Sequence, residues 1–232
     1  MKAELSTEAM KKRVSKLRDA QKSAIKDVKN LHVKVQRGNR KTGANCWTVS
    51  LLPVIDCANC SKCKKNCYDL KADLIYPAVI NDRARNSAIH KKEPDRFWRE
   101  INDQVKENCI RELRINVGGD LDYNDYPYVR VLGLENPSTD ILFFTKNYED
   151  INRYLDEVSF PENVHVIMSA WEGMKMENRH NLPCSHLLYE DGRTTAPEFG
   201  AYYCGGNCSE CNFKGEGCWN LKKGEHVIFR AH

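Results

Sequence analysis

Apolar residues recur at three- and four-residue spacing along the first part of the chain: Met10, Val14, Leu17, Ala24, Val28 and Leu31, with Lys and Arg filling the other positions. That period predicts one amphipathic helix over residues 6–35. Ser6 or Thr7 is placed to cap it, and Glu8 suits the positive end of its dipole. The run Arg37-Gly38-Asn39-Arg40-Lys41 breaks the pattern. From residue 46 the pattern changes to short runs rich in Val, Ile, Leu, Phe and Tyr. Six of them, residues 47–52, 113–117, 141–144, 164–169, 186–189 and 226–229, read as strands. Several are nearly continuously apolar, as in a parallel sheet covered on both faces. Helical periodicity separates them. It runs over 78–90, restarts at Pro94-Asp95 with Phe97, Trp98, Ile101 and Val105 on one side, and returns over 147–158 with Ile151, Tyr154 and Leu155. Strands alternating with helices indicate βαβ units with right-handed crossovers. The fold class expected is α/β: an incomplete (βα) barrel of about six parallel strands, with cysteine-rich metal-binding loops and a basic N-terminal amphipathic helix. Residues 1–41 form the helical extension and 42–232 the barrel-like body, which includes a cysteine-rich loop at 200–220.

Composition adds two constraints. With 41% hydrophobic residues over 232 positions there is material for a real core. No apolar run approaches the ~18 residues that span a bilayer, and the charged N-terminus lacks the apolar stretch of a signal peptide. The expectation is a cytoplasmic protein with no membrane partner. Charge is unevenly spread. Residues 1–41 hold 13 Lys and Arg against 4 Asp and Glu, a net +9, and the rest of the chain carries −5. Such an element is either a solvated face or a surface that attracts phosphate, so nucleic acid is a candidate partner. Neither a Gly-x-Gly-x-x-Gly run nor a P-loop occurs.

Eleven cysteines, an odd number with most in two tight groups, read in a reducing compartment as metal ligands. Cys57, Cys60, Cys63 and Cys67 have the spacing C-x2-C-x2-C-x3-C, the compact run of bacterial ferredoxins with Tyr68 in place of proline. Structural zinc more often uses two C-x2-C knuckles set far apart. Cys204, Cys208, Cys211 and Cys218 form C-x3-C-x2-C-x6-C, with Gly205, Gly206, Gly215 and Gly217 between or beside them. Two [4Fe–4S] clusters are the main expectation, and zinc is the alternative metal, more competitive at the second set. Cys46 and Cys184 are alternative ligands, and Cys109 reads as an ordinary buried thiol. The first set follows the first strand directly, in the strand-to-helix loop where (βα) barrels build their sites. The same logic selects Gly118 and Gly119 for close approach to a cofactor, and Asp120, Asp122, Lys146 and Glu172 as candidate catalytic residues at later strand ends. Asp120 and Asp122 read equally well as caps of the next turn, Lys146 as surface, and His165 as a core histidine.

A cysteine loop after the first strand, then a helix and a strand ending Gly118-Gly119-Asp120, resembles the layout of radical S-adenosylmethionine enzymes. That family's C-x3-C-x2-C stands here at Cys204, Cys208 and Cys211, near the C-terminus, whereas the strand-end loop has four cysteines. A fully ligated cluster leaves no open iron for S-adenosylmethionine. Across most of residues 45–232 the chain is similar to the phage and mobile-element gene product 88 proteins. The likeness is carried by the 57–68 run, Arg83-Ala84-Arg85-Asn86, Gly119-Asp120-Leu121-Asp122, Gly206-Asn207-Cys208-Ser209-Glu210-Cys211 and Cys218-Trp219. It implies a phage or integrated-element origin, hence a host cytoplasm, and supplies no reaction. The leading functional expectation is a redox or radical-type iron–sulfur enzyme with an electron donor. The alternatives are a binding protein of phage or plasmid DNA metabolism with structural clusters, and a zinc-stabilised interaction domain.

Overall fold

The computed structural model describes residues 6–39, 42–60, 62–72 and 77–230. Positions 1–5 of the basic segment, and Arg40 and Lys41 of the break that follows it, lie outside the described residues.

Among the described residues, seven parallel strands form one sheet: β1 Cys46–Val49, β2 Glu112–Ile115, β3 Asp140–Thr145, β4 Val164–Ser169, β5 Cys184–Leu188, β6 Ala201–Tyr203 and β7 His226–Arg230. Their spatial order is β1-β2-β3-β4-β5-β7-β6. The first five neighbours follow chain order, as in a (βα) barrel, without the reversal beside β1 that a doubly wound sheet shows. The seventh strand, β6, is the one that the sequence pattern does not reveal. Its three residues Ala-Tyr-Tyr are too short to carry a period.

Among the described residues, seven α-helices accompany the sheet: α1 Thr7–Lys26, α2 Tyr68–Ala72, α3 Pro77–Lys92, α4 Pro94–Glu107, α5 Tyr126–Glu135, α6 Tyr148–Glu157 and α7 Cys208–Phe213. Register assigns the strand side chains to two faces. Trp47, Leu113, Ile141 and Val164 align on one, followed by Val49, Ile115, Phe143 and Val166. This face packs against Phe97, Trp98, Ile101 and Val105 of α4, Tyr126, Val129 and Leu132 of α5, and Ile151 and Tyr154 of α6. The other face presents Thr48, Arg114, Leu142 and His165 in register. It is covered by α7 and the Gly217–Trp219 turn, which contribute to a smaller core of Cys46, Leu142, Ile167 and Trp219.

Chain direction explains why the two covers differ. Each step from β1 to β5 advances across the sheet, so right-handed crossovers put their helices on one face. The return from β6 to β7 runs backwards, and the same handedness sends its connection over the opposite face. That connection is the C-terminal cysteine segment.

The helix expected over 6–35 stops at Lys26. Ser6 caps it, its hydroxyl accepting from the Ala9 N–H at 3.2 Å. A short turn, Val28–Asn30, follows, and the chain then extends. Gln36 pairs with Thr48 as an antiparallel bridge. Leu31, Val33 and Val35 alternate with His32, Lys34 and Gln36, a period of two that competes with the helical one. Val33 and Val35 are buried. Side chains hold this segment: Asn86 accepts the Lys34 N–H at 2.8 Å and donates to the Lys34 carbonyl at 3.0 Å, and Glu100 accepts the Val33 N–H at 2.6 Å. Met10 and Leu17 of α1 share a core with Leu52, Leu70, Ile80 and Ala84.

Between α3 and α5, His90 Nε2 lies 2.6 Å from Asp125 Oδ1, which also accepts from the Trp98 indole at 3.3 Å. Burial works against the imidazolium, but the Asp125 carboxylate outweighs it and holds His90 above its ordinary pKa. The folded value exceeds the unfolded one, so the pair stabilises fully below the unfolded value and loses that contribution as pH rises through the folded one. Asp125→Asn is expected to cost about 1.5–3 kcal/mol at about pH 6 and progressively less toward about pH 9. Urea unfolding of both proteins across that range checks it.

Candidate functional site

The first cysteine set begins where β1 ends. Asp56 fixes its entry: its carboxylate accepts the Leu52 N–H at 2.8 Å, and its carbonyl accepts the Asp120 N–H at 2.8 Å. Gln21 of α1 donates to the same carboxylate at 3.4 Å and to Ser87 at 2.6 Å. Asn59 donates to the Lys146 carbonyl at 3.2 Å, tying the loop to the end of β3. Cys63 Sγ lies 3.9 Å from Cys60 Sγ. The Cys60 thiol is pushed up by its bonds to Cys57 and Cys63. Cys63 is drawn down to about 7 by its bond from Cys60, with the Lys146 charge helping. Cys67 is set differently. It packs on the Leu52 and Leu70 core, and burial raises it to about 12 although the Leu70 N–H favours its thiolate.

Of the candidate catalytic residues, Asp120 and Lys146 come together beside Cys63. Asp120 Oδ2 accepts the Lys146 N–H at 2.9 Å, and burial raises the Asp120 carboxyl against the pull of Lys146. The Lys146 ammonium stands 5.4 Å from the centre of the Trp171 ring. Asp122 and Glu172 do not join them. Asp122 accepts the Asn124 N–H at 2.8 Å in the turn before α5, and Glu172 pairs with Arg193 at 3.1 Å on the surface. The two glycines make close approaches to the protein itself. A Cβ on Gly118 would sit 2.1 Å from Asp69 Oδ2, and one on Gly119, whose φ is +89°, 2.7 Å from the Leu51 Cβ. Gly118 is therefore required by the buried Asp69–Arg83 ion pair behind it.

The second set lies across the face opposite α4–α6. Cys204, Cys208, Cys211 and Cys218 line a small cleft with Arg114, Leu142, Phe144, Tyr202 and Trp219. The connection reaches β1 and the starts of β2 and β3. Ser209 N–H donates to the Thr42 carbonyl at 3.0 Å, and the Asn212 amide to Glu112 at 3.3 Å and Asp140 at 3.4 Å. Trp219 donates to the Cys208 carbonyl at 3.1 Å and stands edge-on to His165, with ring centres 6.1 Å apart. His165 itself bonds Asp140 at 3.3 Å.

Arg114, which the sequence pattern does not single out, is the charged group of this cleft. Its Nη1 is 3.8 Å from Cys208 Sγ, its guanidinium lies 4.9 Å from the Phe144 ring centre, and its Nε is buried without a hydrogen-bond partner. Cys208 falls to about 6 through its bond from Cys46, with Arg114 adding to the effect. Cys46 is pushed up by that same bond, so the two thiols titrate as a pair. Burial raises Cys218 to about 12. Only the position of Arg114, a charge at alternate register in an apolar strand, could have flagged it.

The remaining thiols separate. Cys46 opens β1 and joins the second set's core. Cys184 opens β5 on the other face, bonded to Asn178 at 3.4 Å. Cys109, expected to be buried, is exposed in a turn with φ +48°. All eleven cysteines are free thiols. Against the expectation of preformed metal-binding loops, among the described residues no group of three or more His, Cys, Asp or Glu is arranged to hold a metal ion. The donor chemistry is nonetheless of the soft, sulfur-rich kind that suits a thiolate-bound centre, with Cys63 near Lys146 and Cys208 near Arg114.

Sheet and loops together define an α/β protein of parallel strands with one thiol group at a strand end and another across the sheet's second face. The Gene product 88 family profile matches residues 15–218, and the chain belongs to that phage gene-product family. Neither the curated proteins nor the solved structures contain a match to it. No helix among the described residues is long and apolar enough to cross a membrane.

Proposed function

We propose that this is an iron–sulfur protein with two [4Fe–4S] clusters, built on an incomplete (βα) barrel and acting as a redox or radical-type enzyme. One observation carries the reading: eight free thiols sit in two separate loops, each next to a buried or half-buried cation. Cys57, Cys60, Cys63 and Cys67 would hold one cluster, and Cys204, Cys208, Cys211 and Cys218 the other. Such clusters supply one-electron chemistry, with potentials set by charge, sulfur hydrogen bonds and solvent access. The chain's own residues do the rest. Asp120 and Lys146 orient a substrate at the strand ends or move a proton there. Arg114 offsets thiolate charge on the second face, and Trp219 with Phe144 keeps water from it. An electron donor is the partner this reading requires.

Cys67 decides whether the first centre is closed. Its sulfur faces the Leu52 and Leu70 core, whereas Cys60 bridges Cys57 and Cys63. Cys67→Ala in anaerobically purified protein is expected to lose about four irons, the content of one cube. Full iron retention, with S-adenosylmethionine changing the EPR spectrum of the reduced protein, would instead give the first centre an open iron. Equal zinc content and no iron in the parent protein would overturn the reading.

A further inference from the structure

α1 is an integral helix with its apolar stripe already used. Met10, Leu17 and Gln21 are buried, Val14, Ala20 and Ala24 pack on the α3 core, and Arg13 donates to the Leu70 carbonyl at 3.1 Å. What remains outward is cationic. Lys11, Lys12, Lys16, Arg18, Lys22 and Lys26 are all exposed, against Glu8 and Asp19 as the helix's acids. Among the described residues none of these six makes an ion pair within the chain. From residue 11 to residue 26 they extend over about 22 Å of helix axis.

We infer that this face of α1 is a docking surface for the phosphate backbone of nucleic acid. The chemistry selects that partner in two ways. A helix that lies in a membrane interface must offer an apolar face to the acyl boundary, and α1 has none free. A specific protein partner needs a central apolar or aromatic anchor. The exposed large hydrophobic residues, Tyr68, Val131, Leu134, Phe199, Tyr203 and Phe213, all lie outside α1. A row of exposed cations with no ion pair among the described residues matches a polyanion of closely spaced charge, bound through counterion release and without base reading. Because Asp56, the residue before Cys57, takes the Gln21 amide, the surface is rigidly joined to the first cysteine loop. This surface depends on no metal.

Charge substitution tests it better than truncation, since deleting α1 would strip the Leu52–Ile80 core. The full chain, purified anaerobically, is titrated with a random-sequence DNA duplex at several salt concentrations, beside K11Q/K12Q/K16Q/K22Q. Gln and Lys have similar helix propensities, so the variant keeps its fold, checked by circular dichroism and unchanged metal content. The expected result is duplex binding by the parent. In the variant it weakens at least about tenfold, and the salt slope falls by about 0.9 for each phosphate that the variant no longer neutralises. Equal binding by parent and variant would overturn the inference. So would sedimentation with phosphatidylserine vesicles but no binding to the duplex.

Discussion

Asp69→Ala is expected to destabilise the protein by about 3–5 kcal/mol, because it strips a buried arginine of its carboxylate. Asp69 and Arg83 face each other with side chains only 3% and 11% exposed, and Gly118 closes over them with no space for even a methyl group. Water cannot readily replace the lost carboxylate. Desolvation that the pair shares would then fall more heavily on the guanidinium. Replacing both partners, as in Asp69→Leu with Arg83→Met, removes both buried charges and is expected to recover part of the loss. Guanidinium unfolding of the single and double variants measures both effects. A single variant as stable as the parent would mean that the pair does not organise the strand end.

Trp219→Ala is expected to cost a similar amount, about 3–5 kcal/mol, for a large buried aromatic removed from a packed face. Here stability and site are coupled. Trp219 fills the second-face core with Leu142 and Ile167, and its indole holds the Cys208 carbonyl. Its loss loosens the α7 segment on the sheet, and under the proposed function it is expected to lower iron content by up to about one cube. Iron analysis of folded variant protein reads this directly. Retention of the full metal content would disconnect Trp219 from the second centre.

The strands and the main crossover helices are legible in the sequence because their signals are strong. Residues 164–169 read as a strand and form one, and the Pro94 restart with Phe97, Trp98, Ile101 and Val105 is α4 with its buried face. The differences have physical causes. The first helix is shorter than its periodicity suggests because Val28 and Leu31 continue its three- and four-residue spacing, while the alternation through Leu31, Val33 and Val35 carries an extended segment. α5 escapes sequence reading because Tyr126, Val129 and Val131 favour strands by propensity, and tertiary burial of Tyr126 and Val129 makes the segment helical. The loop position of the first cysteines follows from strand order. The second set's place across the sheet does not, because it depends on β6, which lies beyond β7 at the sheet edge and so makes the β6-to-β7 step run back across the sheet. Asp120 and Lys146 come together because both end strands, as their sequence positions imply. Asp122 and Glu172 have equivalent positions in the sequence but bond into local turns and surface pairs instead. The role of Arg114 is not legible in the sequence beyond its being a charge in an apolar strand, because it depends on Cys208, which is distant along the chain and adjacent only after folding.

The central claim is that both cysteine sets bind iron–sulfur clusters. Iron, zinc and acid-labile sulfide measured on protein never exposed to air test it most directly. Two cubes predict about eight irons and eight sulfides per chain, with the broad visible absorbance of thiolate-bound clusters. A colourless protein with stoichiometric zinc and no labile sulfide would contradict it.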